Sequence, residues 1–284
     1  MAGDMVAPTK VKTVIVMLVW QIGWGALLGQ SNSKKAEPYG TGQIETELLL
    51  LVNQARIAQN LQPLRPDSTL QKIARDFSEK MAREGRLSHY FPDRCWPEAI
   101  LSENGRFFSV LAENIARSES FNPDFIHESF INSILHRINI FNPRLTHAGI
   151  GVVKWGLEYY VTQEFAAFIE PMPIEVAINQ IENDLFTWYR QRFAVALLIH
   201  ADARLTARVY SQQYRLGIPV FFFKAGWKRS KVINLSFISL EVILSEIKKE
   251  IEQSRYQSFA VGVTWGRSIY YPGGAYFVSV MFFE

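Results

Sequence analysis

The sequence predicts an α+β fold. Three observations predict it: apolar residues recur at helical spacing early in the chain, strand-like runs around a Trp-Gly turn follow them, and part of that order returns in the second half. At 284 residues and 48% apolar composition, two domains can each bury a core. Formal net charge is +3, so no global field argues for nucleic acid or an anionic membrane as partner. Lys224, Lys228, Arg229 and Lys231 around Trp227 read as a solvated connection. Cys95 is the only cysteine, which excludes an intramolecular disulfide, a cysteine-based metal cluster and a c-type haem attachment. In Pro92-Asp-Arg-Cys-Trp-Pro97, a turn-like stretch, its thiol is expected to be inert.

Lys10 and Lys12 precede an uncharged apolar run from Thr13 to Gly29, the layout of an export signal. Gly29 and Ser31, or Ser31 and Ser33, offer small residues for cleavage. An uncleaved N-terminal anchor is the alternative. Residues 1–33 are read as this signal or anchor, and the chain from Gln30 to Gly42 as a polar tether.

The first folded unit is expected over residues 42–170. Ile44, Leu48, Leu51, Val52 and Ala55 mark a first helix, with Glu45 and Glu47 in its opening turn. Asp67 or Ser68 caps a second, carrying Leu70, Ile73, Ala74, Phe77 and Met81 and ending before Gly85. A third starts at Asn122-Pro123, carries Phe130, Ile131, Ile134 and Leu135, and ends near Pro143. Ala148–Val153 and Glu158–Phe165 flank Trp155-Gly156 as a β-hairpin.

Leu51-Val-Asn-Gln-Ala-Arg56, Leu61-Gln-Pro-Leu64, Leu87-Ser-His89, Ala112-Glu-Asn-Ile-Ala116, Ser133-Ile-Leu-His-Arg-Ile-Asn-Ile140 and Thr146-His-Ala-Gly-Ile-Gly151 occur in the order of a known family. Together they resemble bacterial domains of the CAP superfamily (cysteine-rich secretory, antigen 5, pathogenesis-related 1; SCP/TAPS). The resemblance implies a three-layer α-β-α sandwich. It also implies that His89 and His136 face a central cleft, with Glu113 as the glutamate of the Glu-Asn motif. Two imidazoles and a carboxylate suit zinc or another divalent metal. Equally, Glu113 accepts hydrogen bonds from the histidines and loop amides with no metal, locking the loop before the third helix.

By the same resemblance, Ser133 stands where many eukaryotic members carry a second glutamate, three residues after a tryptophan that is Phe130 here, so the set of His89, Glu113, Ser133 and His136, as in many bacterial relatives, lacks one carboxylate. Ile134-Leu135 replaces a Pro-Gly, which lets the third helix run on and re-aims His136. Ser133 and His136 do not make a nucleophile and base, since no elbow motif or oxyanion donors accompany them. Glu128 and His127 read as surface, His147 as structural, and Arg137 and Asn139 as ties between helix end and loop.

Residues 171–284 read as a smaller, degenerate CAP-like repeat, with an unrelated α+β domain as the alternative. Leu64–Ser78 aligns without gaps on Ile199–Gln213, pairing Asp67 with Asp202 and Leu70 with Leu205. The earlier helix recurs as Ile178, Ile181, Leu185 and Trp188, and Gly149–Val153 recurs as Ala260–Thr264 before Trp265-Gly266. Gly217–Phe223 precedes a helix with Leu240, Ile243, Ile247 and Ile251 on one face. With no histidine after His200, this half cannot hold the constellation.

Three functions remain open. One is an exported binding protein whose cleft takes a lipid, a small apolar ligand, a metal or a surface or host component. The others are a metal-assisted hydrolase using His89, Glu113 and His136, and a structural or adhesive surface protein.

Overall fold

The computed structural model describes residues 40–218 and 230–283. The export segment, most of the tether, nearly all of Gly217–Phe223 and the basic loop before Ser230 lie outside the described residues. Among the described residues no helix is long and apolar enough to cross a membrane. The chain divides into two compact units at Ile169/Glu170.

In the first unit, α1 (Thr41–Ala58) buries Ile44, Leu48 and Val52. It starts a turn earlier than the apolar spacing suggests, so Glu45 is not in the opening turn. Glu45 is instead buried, ion-paired with Arg75 and accepting the Val152 amide at 3.0 Å. Arg56 is fully buried with no carboxylate partner among the described residues, and its guanidinium donates to the carbonyls of Gln62, Ile140, Asn142 and Leu145. It therefore satisfies backbone that would otherwise be orphaned at the end of the third helical region.

After β1 (Arg65–Pro66), α2 (Ser68–Glu84) is capped by Asp67, which accepts from the Thr69 and Leu70 amides at 3.0 Å. The short α3 (Pro97–Glu103) leads into β2 (Phe107–Ser118). β2 places Glu113 on a long strand rather than in a loop, because Phe108 to Ala116 alternates between the two sheet faces.

The expected third helix is two. α4 (Pro123–Asn132) stops at Ser133, whose ψ of 119° is extended, and α5 (Ile134–Ile140) restarts after it. Replacing Pro-Gly with Ile-Leu therefore did not let the helix run on. Asn132 and Ser133 favour backbone alternatives to helix, and Arg137 donates to the freed Ile131 carbonyl at 3.0 Å.

β3 (His147–Trp155) and β4 (Glu158–Ile169) form the expected hairpin, and the sheet order is β1-β3-β4-β2, with β1 parallel to β3 and the other pairs antiparallel. α1, α4 and α5 cover one face with Val110, Ile150, Val152, Val161 and Phe165. α2 and α3 cover the other with Phe108, Leu111, Ile115, Tyr160 and Ala166. The first unit is thus the α-β-α sandwich the sequence implies. Gly151 lets α2 lie directly on the sheet, since a Cβ there would overlap the backbone of Ala74 and Arg75.

The second unit has α6 (Ile174–Phe193), β5 (Leu198–Ile199), α7 (Ala201–Arg215), β6 (Ser230–Phe237), α8 (Leu240–Ile251), β7 (Ser258–Ser268) and β8 (Tyr271–Phe283). Its order is β5-β7-β8-β6, again with one parallel pair, β5 with β7. α6 and α8 pack on one face and α7 on the other. Gly262 meets the Ala207 backbone as Gly151 meets Ala74. This sets the correspondence of the crossing helices two residues away from the gapless alignment: His200 stands at the cap where Asp67 does, and Ala203 and Ala207 are buried while Leu205 is 73% exposed. The alignment followed residue likeness, whereas the buried face follows the close contact with the sheet.

Candidate functional site

The site is built at β2, the edge strand. Successive residues of a strand point to opposite faces, and Glu113 and Asn114 use this to hold two different segments. Asn114, fully buried, donates to the His136 carbonyl at 3.1 Å and to Gln163 at 3.0 Å, and accepts from Asn139 at 2.9 Å. Asn139 can also donate to the Glu113 carbonyl, at 3.2 Å. These bonds fix α5 and hence His136 beside the strand, so Asn139 ties the helix to β2 rather than to a loop.

On the other face, the Glu113 carboxylate lies 2.6 Å from Nδ1 of His89. His89 sits in the loop after α2, which Ser88 organises by accepting from the Tyr90 amide at 3.1 Å. Two residues absent from the sequence reading complete the cluster. Arg94, its side chain 4% exposed, donates to both oxygens of Glu113, to Glu164 Oε1 at 3.3 Å and to the His89 carbonyl at 2.8 Å. Its guanidinium lies 3.3 Å from the Phe77 ring centroid and 4.9 Å from that of Trp96. Glu164, on β4, is directly opposite Glu113 in the sheet and 1% exposed.

Two carboxylates facing each other across a strand pair repel; here one keeps its proton. Burial raises Glu164 well above the usual carboxylate range, and the Glu113 charge pushes the same way, with Glu98 of α3 adding to it. Burial also pushes Glu113 up, but hydrogen bonds from His89 and Glu164 and the Arg94 charge outweigh it and hold Glu113 below the usual range. Glu164 thus donates to an ionised Glu113. Against an ionised Glu113, Nδ1 of His89 is the donor of this bond, which leaves Nε2 outside it.

Burial lowers His136 to about 4, with the His89 charge adding to the effect, so at neutral pH it is an uncharged imidazole. Its ring packs edge-on against Phe130, centroids 5.2 Å apart. The fold therefore brings together His89 and Glu113 by direct contact and His136 by proximity. Ser133 stands at the α4–α5 break and makes no capping hydrogen bond to α5. Glu128 is exposed as expected, but His127 is half-buried rather than surface. His147 bonds Thr146 at 2.8 Å and packs on Phe168, a local structural role. Cys95 is exposed.

A divalent metal that takes Glu113 as a direct ligand does not fit this arrangement. Both oxygens of Glu113 and Nδ1 of His89 are engaged, and a fixed guanidinium repels a second cation from the same carboxylate. Among the described residues no group of three or more His, Cys, Asp or Glu side chains is arranged to hold a metal ion.

Sequence signals for the two missed residues were thin. Glu164 is a carboxylate inside an otherwise apolar and amide-bearing strand, which marks it as unusual. Its pairing with Glu113 depends on strand register. Arg94 sits in a turn-like stretch with no periodicity.

Residues 49–165 match the family described as CAP, the cysteine-rich secretory protein family. The uncharacterized protein YkwD of Bacillus subtilis is 32% identical over 136 residues, 48% of this chain and 52% of that protein. The chain thus spans about half the length of this curated relative. An extracellular SCP-domain protein of Bacillus anthracis is 26% identical, with 44% of this chain and 41% of that one covered at a TM-score of 0.41. A cysteine-rich secretory protein of Staphylococcus aureus is 24% identical, covering 48% of this chain and 43% of that one at a TM-score of 0.38.

Proposed function

Residues 49–165 are a CAP domain of the cysteine-rich secretory protein family, and from that premise we propose that the chain is an exported binding protein whose cleft at His89 and His136 takes a small amphipathic ligand. The observation that carries this is the state of the polar groups. Glu113 is consumed in orienting His89, His136 is uncharged at neutral pH, and among the described residues no hydroxyl or thiol is paired with either ring as a nucleophile. The uncharged His136 ring and the His89 ring beside it suit the hydroxyl or protonated carboxyl of a lipid-like head group. Tyr90, next to His89 and 57% exposed, lies with its ring 6.2 Å from that of Trp96, and this aromatic pair gives a hydrocarbon tail a surface to cover.

Export rests on the Lys10, Lys12 and Thr13–Gly29 pattern. The second unit, with the same strand order and no histidine pair, is taken as a degenerate copy without this site. The test is titration of a fluorescent fatty acid and of a sterol into the wild type and the His89→Ala/His136→Ala variant. Saturable binding that weakens at least about tenfold in the variant is expected. Equal binding by both proteins would reject the cleft.

A further inference from the structure

We propose that Arg94 is the resident cation of the site: its guanidinium stands where a divalent metal would have to approach Glu113, and it withholds that carboxylate from a metal while holding the backbone that carries His89. The residue types His89, Glu113 and His136 are those a zinc site uses, yet the carboxylate among them is already ligated. Arg94 engages both of its oxygens, reaches Glu164 at 3.3 Å, and holds the His89 carbonyl at 2.8 Å, so one side chain sets both the carboxylate and the backbone that carries the imidazole.

A lysine would supply the charge that repels a metal, but only the guanidinium makes this whole set of contacts. Its planar fork matches a carboxylate in two places, and it is weakly enough hydrated to lie against the Phe77 and Trp96 rings. With its side chain 4% exposed, it cannot swing away without depriving both Glu113 oxygens of the guanidinium. His89 in turn spends Nδ1 on Glu113 at 2.6 Å. The carboxylate is thereby withheld from a metal, leaving two imidazoles beside a positive charge, a poor place for a dication.

This extends the reading of His89 and His136 as ligand-facing groups, but zinc binding and lipid binding are measured separately, so either can fail alone. Zinc is titrated calorimetrically into the full chain, prepared without a metal-affinity step, as wild type, Arg94→Met, Arg94→Lys and Arg94→Met/His136→Ala. Arg94→Met is expected to bind one zinc at least about tenfold tighter than wild type. That gain should vanish in the double variant, and Arg94→Lys, which keeps the charge, should stay within about threefold of wild type. Wild-type binding within about tenfold of Arg94→Met overturns the proposal. Should Arg94→Met not fold, the ¹⁵N shifts of the His89 ring in the wild type decide. They are expected to report the Nδ1–H tautomer and to stay unmoved by one equivalent of zinc; the other tautomer, or a zinc-induced shift, overturns it.

Discussion

The two sheets share one plan and differ at one register position. In the first, Glu113 of β2 faces Glu164 of β4, which faces Gly149 of β3. In the second, Val232 of β6 faces Met281 of β8, which faces Ala260 of β7. The glycines two residues on, Gly151 and Gly262, are both pressed against a helix backbone, so the positions correspond. Met281 is fully buried with Ala203, Ala207 and Tyr210, in the layer where the first unit holds a proton-sharing carboxyl pair and an arginine. The scaffold accepts either filling. Carboxylates opposed across strands cost stability, and the apolar filling of the second sheet avoids that cost.

The largest effects come from putting one half of a filling in the wrong place. Met281→Glu buries a carboxylate among apolar side chains and should cost the second unit about 3–5 kcal/mol. Glu113→Val takes the main carboxylate partner from buried Arg94 and from His89 and should cost the first unit a similar amount, about 3–5 kcal/mol. Denaturant unfolding of both variants checks this; a loss under about 1 kcal/mol for Met281→Glu would mean that its surroundings are not a closed apolar layer. Next come Gly151→Ala and Gly262→Ala. Each forces a Cβ into helix backbone and should cost about 3 kcal/mol, and unequal costs would break the equivalence of the two crossings.

Much of this plan was legible in the sequence because it is written in local periodicity. The α2 stripe, its Asp67 cap and the β3–β4 hairpin are each set by neighbours in the chain. The family motifs carried the layer order and brought His89, Glu113 and His136 forward together. What was hidden depends on register and on distant partners. Glu45 moved out of the first turn because Arg75 and the Val152 amide claim it. The helix broke at Ser133 because Arg137 can take the Ile131 carbonyl. Arg94 and Glu164 belong to the site only once β2 and β4 are paired and the loop before α3 has folded onto Phe77. The two-residue slip in the repeat alignment has the same origin: helix-on-sheet contact at a glycine decides the buried face, and no single chain segment records it.

A smaller difference between the units lies in their response to pH. His136 falls from its ordinary 6.5 to about 4 on folding, first through burial. Between those values the unfolded chain binds the proton that the folded chain refuses, so stability rises from about pH 4 to pH 6.5 and is lost as pH falls through that window. After allowance for partial exposure of the ring, the contribution is about 2 kcal/mol. His127 and His147 are lowered as well and act in the same direction. Thermal melts across this range should therefore show a slope in the wild type that is shallower in His136→Asn. An unchanged slope would mean the ring is solvated.

The smallest expected effect sharpens the comparison most. Arg94→Met, Glu113→Val and Glu164→Met together give the first sheet the apolar filling of the second. Replacing a complete buried ionic group with apolar residues of similar volume is commonly neutral or stabilising, so the triple variant should unfold within about 1 kcal/mol of wild type at neutral pH. Glu113→Val alone should not. The pH dependence gives an independent sign. Glu164 keeps its proton in the folded state at pH values where the unfolded chain has lost it, so its contribution falls as pH rises above the ordinary carboxylate range. The triple variant lacks that fall and should gain on wild type toward alkaline pH. A loss above about 2 kcal/mol at every pH would instead make the network part of what holds the first unit together, and the second unit's apolar filling would then be a different solution to the same structural need.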